Sequence, residues 1–256
     1  MPNSILITQI LIYTSASLSF LSCILTIIIY LKIGQSRTFR YFLILLEQVG
    51  NLFLSISLFL KTSQNNSLCE AHKFLLCVGI TSAIIWTMIF SFYYYSRYIR
   101  KVKNLWKYIS IWIFTGLILP FGIASLELVL NGLEEKCTSI YILTFYGKQS
   151  SLILPSLMIF AFCVHAFVVV AICVDYRNSS SHIFSPWKIA FEPLSFFGEF
   201  SCFVICTFLD YFGYRGPEYL QSLSLGLLGF RGFYRFFTSQ SLKPIKEKYS
   251  NSILLA

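Results

Sequence analysis

Long apolar runs recur along this chain, and each is about as long as a helix that crosses a membrane. A hydrocarbon core of ~30 Å needs roughly 20 apolar residues in one helical span. Strands are not expected, because an open sheet leaves backbone groups unpaired in lipid and no alternating barrel pattern is present. The sequence therefore predicts an all-α membrane protein, a seven-transmembrane helix bundle over residues 1–238 with a short tail at 239–256. The predicted spans are Ile5–Leu31, Tyr41–Leu60, Lys73–Ser96, Tyr108–Leu130, Ser151–Val174, Ile189–Phe212 and Glu218–Phe237.

Composition agrees with a lipid environment and excludes several classes of function. The chain is 56% hydrophobic and 12% charged, whereas soluble domains carry about 25% charged residues. Its net charge of +9 does not indicate nucleic-acid binding, because the basic residues are distributed over short loops between apolar runs. No Cys/His spacing typical of a metal site occurs, and the last span has no lysine that could hold retinal. We therefore expect neither an enzyme nor a nucleic-acid binder, and no cofactor.

The loop charges predict the orientation of the bundle. Fifteen of the 20 basic residues fall near the inner ends of the spans or in the loops after the first, third, fifth and seventh spans. Because short cytoplasmic loops carry an excess of Lys and Arg, we expect the N-terminus outside and the C-terminus in the cytoplasm. No cleavable signal is predicted, since the first residues lack a basic region and a small-residue cleavage site. The expected location is the plasma membrane, as a multi-pass protein.

Two cysteines and one glycosylation motif fall on the predicted outer side. Cys69 opens the third span and Cys137 lies in the second outer loop. The compartment there is oxidising, so we predict a disulfide between them. The motif Asn65-Asn66-Ser67 lies in the first outer loop, which makes Asn65 a candidate for glycosylation.

Seven spans, an outer N-terminus and these two cysteines together resemble a G-protein-coupled receptor. Short motifs in three spans are similar to the cyclic-AMP-receptor-like branch, with secretin-like similarity in the helices. These are Ser82-Ala83-Ile84-Ile85-Trp86-Thr87, Phe191-Glu192-Pro193-Leu194, Leu220-Gln221-Ser222-Leu223 and Gly229-Phe230-Arg231-Gly232-Phe233-Tyr234. The chain departs from the family pattern where an Asn is expected after Gly-Phe, and the third span lacks an Asp-Arg-Tyr motif at its end.

The resemblance implies a signal receptor that binds an extracellular small-molecule ligand within the helix bundle. It also implies a cytoplasmic heterotrimeric G protein as partner. The basic stretch after the third span, with Arg97, Arg100, Lys101 and Lys103, is the predicted contact for that protein. Contact of the same charges with anionic lipid is the alternative.

Four ionisable residues are predicted at one depth near the inner ends of their spans. They are Glu47, Glu192, Arg231 and Arg235. The two arginines are four residues apart and so share a helix face. Since ionisable groups within a membrane are costly and are functional candidates by default, we predict that Arg231 pairs with Glu47 or Glu192. Such a pair could be a lock that a ligand opens, a static structural pair, or arginines that reach lipid phosphates.

Deeper in the bundle, three residues are candidates for a ligand pocket. Glu199 and His165 are predicted near the midplane of neighbouring spans, and Trp86 is a candidate aromatic wall. A pair between His165 and Glu199 without a ligand is the alternative. The sequence is also compatible with two rival classes. One is a seven-helix membrane protein without signalling, and the other is a transporter, although the two halves of the chain show no convincing internal similarity.

Overall fold

The computed structural model describes residues 2–32, 39–60, 66–131, 153–178, 194, 196–198, 200–201, 204–205 and 226–235. Nearly all of these residues are helical, the main exception is the link 100–105, and no strand occurs among them. The helices are α1 (Pro2–Lys32), α2 (Phe39–Leu60), α3 (Asn66–Tyr94), α4 (Ile109–Ile113), α5 (Leu119–Asn131) and α6 (Ile153–Asn178). A π-helical turn, Tyr95–Ile99, extends α3, and a second one, Phe114–Ile118, joins α4 to α5.

Within this part of the chain, five helices are long and apolar enough to cross a membrane. One of them, Trp106–Val129, runs through α4, the π turn and α5 and is called the fourth helix below. The prediction of an all-helical membrane protein is confirmed at this level. The sixth and seventh predicted spans lie largely outside the described residues, although the pieces described there are helical. The count of seven and the orientation stay predictions.

The third helix is the centre of the bundle. In α3, 89% of the apolar window is buried, compared with 17% in the fourth helix. It packs against α2, α5 and α6. The outer helices expose large apolar side chains instead, as Phe160, Phe167 and Val170 of α6 illustrate. Such faces on long helices fit contact with lipid tails, because in water they would form an unusually large apolar patch.

Glycines allow α3 to approach its neighbours closely. A Cβ atom on Gly79 would lie 2.7 Å from the Cα of Leu54 in α2. A Cβ on Gly116 would collide with the indole of Trp86, so the π turn of the fourth helix leaves room for this ring. Small residues at helix contacts are typical of membrane bundles, where close van der Waals packing drives association.

A ridge of glycines also joins residues 226–235 to α1. Gly226, Gly229 and Gly232 recur every three residues, and a Cβ on either of the last two would meet the hydroxyl of Ser15 or Ser19, respectively. Segment 226–235 keeps the helical hydrogen-bond pattern, with the amide of Phe230 donating to the carbonyl of Gly226 at 2.9 Å. The ridge therefore fixes which face of the segment meets α1, and the arginines of the same segment lie inside the bundle.

Candidate functional site: a buried ion-pair cluster

The arginines of segment 226–235 share one carboxylate of α2. Arg231 Nη2 donates to Glu47 Oε1 at 2.7 Å, and Arg235 Nε donates to the same oxygen at 3.0 Å. Glu47 and Arg231 are each 1% exposed, and Arg235 is 4% exposed. Charge-assisted hydrogen bonds of this length are roughly twice as strong as neutral ones. The structure thus joins two elements 184 residues apart in sequence.

A row of polar side chains extends the cluster along α2 towards α1. Glu47, Gln48 and Asn51 are neighbours on this helix, and all three are buried. Gln48 Oε1 accepts from the Cys23 thiol at 2.9 Å and from Asn51 Nδ2 at 3.5 Å. On the α1 side, the amide of Gly232 donates to Ser19 Oγ at 3.1 Å. Segment 226–235 is therefore bonded to α1 and α2 together.

The guanidinium groups also contact α3 and the predicted sixth span. Arg231 Nη2 lies 3.3 Å from the carbonyl oxygen of Ala83, to which it donates a second hydrogen bond. Its guanidinium carbon lies 5.6 Å from the ring centre of Phe200, and that of Arg235 lies 5.5 Å from the ring centre of Phe90. Aromatic faces attract cations, and the attraction is larger where water is excluded. Four parts of the chain therefore meet at the two arginines.

The second oxygen of the carboxylate has spare capacity. Glu47 Oε2, Gln48 Nε2 and Asn51 Oδ1 are buried, and none of them makes a hydrogen bond within the described part of the chain. A buried polar atom without a partner costs about 1–3 kcal/mol. Glu47 Oε2 and Asn51 Oδ1 can therefore accept further hydrogen bonds, and Gln48 Nε2 can donate one, without loss of the bonds already made.

The residues predicted to line a ligand pocket lie on different sides of α3. His165 Nδ1 and Ser91 Oγ share a hydrogen bond of 2.7 Å, and the imidazole lies 4.2 Å from the ring centre of Phe196. Trp86 is fully buried and packs against Gly116 of the fourth helix. Because residues 86 and 91 are about 140° apart around a helix with 3.6 residues per turn, the indole and the Ser91 hydroxyl that bonds His165 lie on different sides of α3. His165 thus has a partner on α3.

The other predicted site residues fall into two groups. Arg97, Arg100, Lys101 and Lys103 are all exposed at the surface. The remaining predicted sites lie outside the described part of the chain: the side chain of Cys69, which belongs to α3, and residues Cys137, Asn65, Glu192 and Glu199. The described residues contain no group of three side chains that could hold a metal ion.

Several contributors to the cluster were not singled out from the sequence. Gln48 and Asn51 had a signal, since two amides beside a glutamate are unusual in an apolar helix and lie on one face. The spacing of Gly229 and Gly232 was a second sequence signal, because small residues at regular intervals are typical of close helix contacts. No sequence signal pointed to the carbonyl of Ala83, because every residue of a helix has a backbone carbonyl that could accept the bond.

Comparison of the chain with protein-family models and with curated proteins finds no match. The likeness to a G-protein-coupled receptor therefore depends on the motifs and the spans of this chain alone.

Proposed function

We propose that this chain is a receptor-like signalling protein of the membrane, with the Glu47, Arg231 and Arg235 cluster as its switch. In this proposal seven helices cross the plasma membrane with the N-terminus outside. An extracellular small molecule binds within the bundle, and the resulting movement reaches a cytoplasmic heterotrimeric G protein. The observation that carries the proposal is a single buried oxygen, Glu47 Oε1, which accepts from both guanidinium groups of segment 226–235.

This geometry suits a switch because its contacts can be exchanged. Arg231 Nη2 donates both to Glu47 Oε1 and to the carbonyl of Ala83, while Glu47 Oε2 makes no hydrogen bond with the described residues. A modest rotation of segment 226–235 could therefore replace one set of bonds by another, so that no charge is stranded. To move such an equilibrium from 1:99 to 99:1, a ligand must bind one state about 10⁴-fold more tightly than the other.

A transporter is the rival function, and the polar interior of the bundle is the observation that favours it. Several buried hydroxyl groups lie along the helices, but they bond to their own helix backbone. Ser55 donates to the carbonyl of Asn51 at 2.9 Å, and Thr87 donates to that of Ile84 at 2.6 Å. A hydroxyl bonded in this way has given its proton to its own helix and keeps only its oxygen lone pairs for other groups. The protons of these hydroxyl groups are therefore already used within their own helices, which favours the switch over a transport path.

The test measures basal signalling, which requires no known ligand. Wild-type protein, Glu47→Gln and Arg231→Ala are expressed in cells with a panel of G-protein activation sensors, and signals are scaled to surface expression. We expect both variants to raise basal activation of the same G-protein subtype at least several-fold, because each one weakens the lock. Asp175→Asn is the matched control, since it replaces an exposed carboxylate by the corresponding amide.

If both cluster variants reach the surface and leave every sensor at the wild-type level, the switch is refuted. A solute flux in liposomes that depends on the purified protein would favour the transporter instead. Arg235→Lys provides a milder change, because it keeps the charge but removes the planar donor group. We expect it to give an intermediate basal signal.

A further inference from the structure

The link between α3 and the fourth helix is folded into a compact turn. The amide of Arg100 donates to the carbonyl of Tyr95 at 3.1 Å, and that of Val102 donates to the carbonyl of Ser96 at 3.0 Å. Between them, Lys101 has a φ of 54°, in the left-handed region that few side chains adopt. A backbone held in this way fixes the points from which its side chains leave the turn.

Contacts at both ends of the turn hold it against the bundle. Leu105 is 4% exposed and belongs to the main core. The ring centre of Trp106 lies 4.9 Å from that of Phe39 at the start of α2. Across the turn, Arg97 Nη1 donates to the carbonyl of Lys103 at 3.3 Å. The exposed charges therefore stand on an anchored base.

The turn is strongly and uniformly positive. Five basic residues occur between Tyr95 and Tyr108, and no Asp or Glu lies among them. All five are exposed, and they are Arg97, Arg100, Lys101, Lys103 and Lys107. Potentials of one sign concentrate ligands of the opposite charge, so this surface is suited to a ligand that carries several negative charges.

The position of the turn selects the source of that negative charge. It joins two apolar helices, Ala71–Arg97 and Trp106–Val129, that are each long enough to cross a membrane. Trp106 is 46% exposed and Tyr108 is 45% exposed. Half-exposed aromatic residues at the end of a membrane helix are typical of the layer of lipid headgroups. The basic side chains therefore extend from the same depth.

We propose that the turn 95–108 binds the phosphate headgroups of anionic lipids in the leaflet that it faces. This proposal does not rest on the buried cluster, and it assigns to anionic lipid the basic residues that the resemblance to a receptor would assign to a G protein. Near an anionic membrane each Lys or Arg contributes about 1 kcal/mol, which is roughly fivefold in affinity. Removal of two lysines should weaken lipid binding about 25-fold.

The experiment counts lipids bound to the purified full chain by native mass spectrometry in detergent. Short-chain phosphatidylinositol bisphosphate, phosphatidylserine and phosphatidylcholine are titrated separately. We expect wild-type protein to bind the bisphosphate lipid most tightly and phosphatidylcholine least. The test variant is Lys101→Gln with Lys103→Gln, since these side chains project from the turn and the backbone of Lys103 supplies the bond to Arg97.

Two controls separate a defined surface from general charge. Lys32→Gln with Arg177→Gln removes two exposed cations at other helix ends. We expect at most about a threefold change, because a headgroup held by the turn is not in contact with these side chains and salt screens more distant charges. Lys101→Arg with Lys103→Arg keeps the charge, and binding should remain.

Equal losses of lipid affinity in the two Gln double variants would overturn the proposal, because the turn would then bind lipid no better than any other pair of exposed cations. Soluble inositol trisphosphate bound as tightly as the lipid would also overturn it, since the site would then serve free phosphates. The proposal would also be overturned if the protein showed no binding of anionic lipids but bound a purified G-protein heterotrimer, and if the Lys101→Gln, Lys103→Gln variant lost that binding.

Discussion

Replacement of Glu47 by Gln should destabilise the bundle by about 3 kcal/mol. Two charge-assisted hydrogen bonds converge on Glu47 Oε1, from Arg231 at 2.7 Å and from Arg235 at 3.0 Å. Each such bond contributes about 1.5–3 kcal/mol. The amide of Gln keeps an acceptor of nearly the same shape, so about half of this interaction survives. The lost half amounts to about 1.5–3 kcal/mol. Removal of one partner from a buried pair typically costs about 3–5 kcal/mol in total, and because Gln leaves an acceptor in place we expect a loss at the lower end, about 3 kcal/mol.

A local probe of this loss is available within the cluster. The thiol of Cys23 is fully buried and donates to Gln48, the residue next to Glu47. Protein in detergent is heated in steps and exposed to a short pulse of a maleimide, and labelled Cys23 is quantified by peptide mass spectrometry. For a chain of this size, 3 kcal/mol corresponds to a fall of roughly 6–12 °C in the midpoint of labelling.

Two further variants make the result interpretable. Asp175→Asn makes the same chemical change at an exposed position, so its midpoint should stay within about 2 °C of wild type. Glu47→Gln combined with Arg231→Gln removes one of the stranded charges, and the double variant should be less destabilised than the sum of the single variants. If Glu47→Gln shifts the midpoint no more than Asp175→Asn does, the carboxylate does not hold these elements together and the reasoning fails.

Two more predictions concern the packing around the cluster. Gly232→Ala should lower the unfolding midpoint by an amount equivalent to about 1–3 kcal/mol, because its Cβ would overlap α1. Gly122→Ala is the control, since a Cβ there would meet no atom beyond its own stretch of helix within 4 Å, and it should be neutral or stabilising by up to about 1 kcal/mol. Ser91→Ala should cost about 1–3 kcal/mol, because it removes the hydrogen-bond partner of His165. Ser125→Ala, at an exposed serine that bonds to its own helix, should cost under about 0.5 kcal/mol. A thermal shift assay measures the unfolding midpoints of all four variants. Equal midpoints for the two glycine variants, or for the two serine variants, would contradict these predictions.

The helices could be predicted from the sequence because their cause is local. A hydrocarbon layer of fixed thickness sets the length of a span, so the predicted Tyr41–Leu60 differs from α2, Phe39–Leu60, by two residues at one end. The common helix face of Arg231 and Arg235 could also be predicted, because residues four positions apart lie on the same side of a helix. Depth alone pointed to Glu47 as one of two possible partners, because a carboxylate at the wrong depth could not reach the guanidinium groups.

The side-to-side arrangement of the bundle could not be predicted in the same way. Trp86 and His165 were expected to border one pocket, but the indole packs against Gly116, and the imidazole is bonded to Ser91 on another side of α3. Hydrophobic periodicity was no guide here, because the apolar window of α3 is buried over 89% of its length. A helix that is apolar all round does not reveal which neighbour faces which residue.

The glycine ridge and the ion pairs constrain how a switch in this bundle could move. The amide of Gly232 is bonded to Ser19 of α1, and the next residue towards the N-terminus, Arg231, is bonded to Glu47 of α2. A translation of segment 226–235 along its axis would break both contacts and would also drive the ridge into the serines of α1. A small rotation about the line of contact with α1 would preserve the ridge while the longer arginine side chains exchange acceptors. Cores and helix contacts of this density have discrete arrangements and do not deform continuously. The close packing against α1 therefore favours rotation as the movement by which the two arginines could leave Glu47.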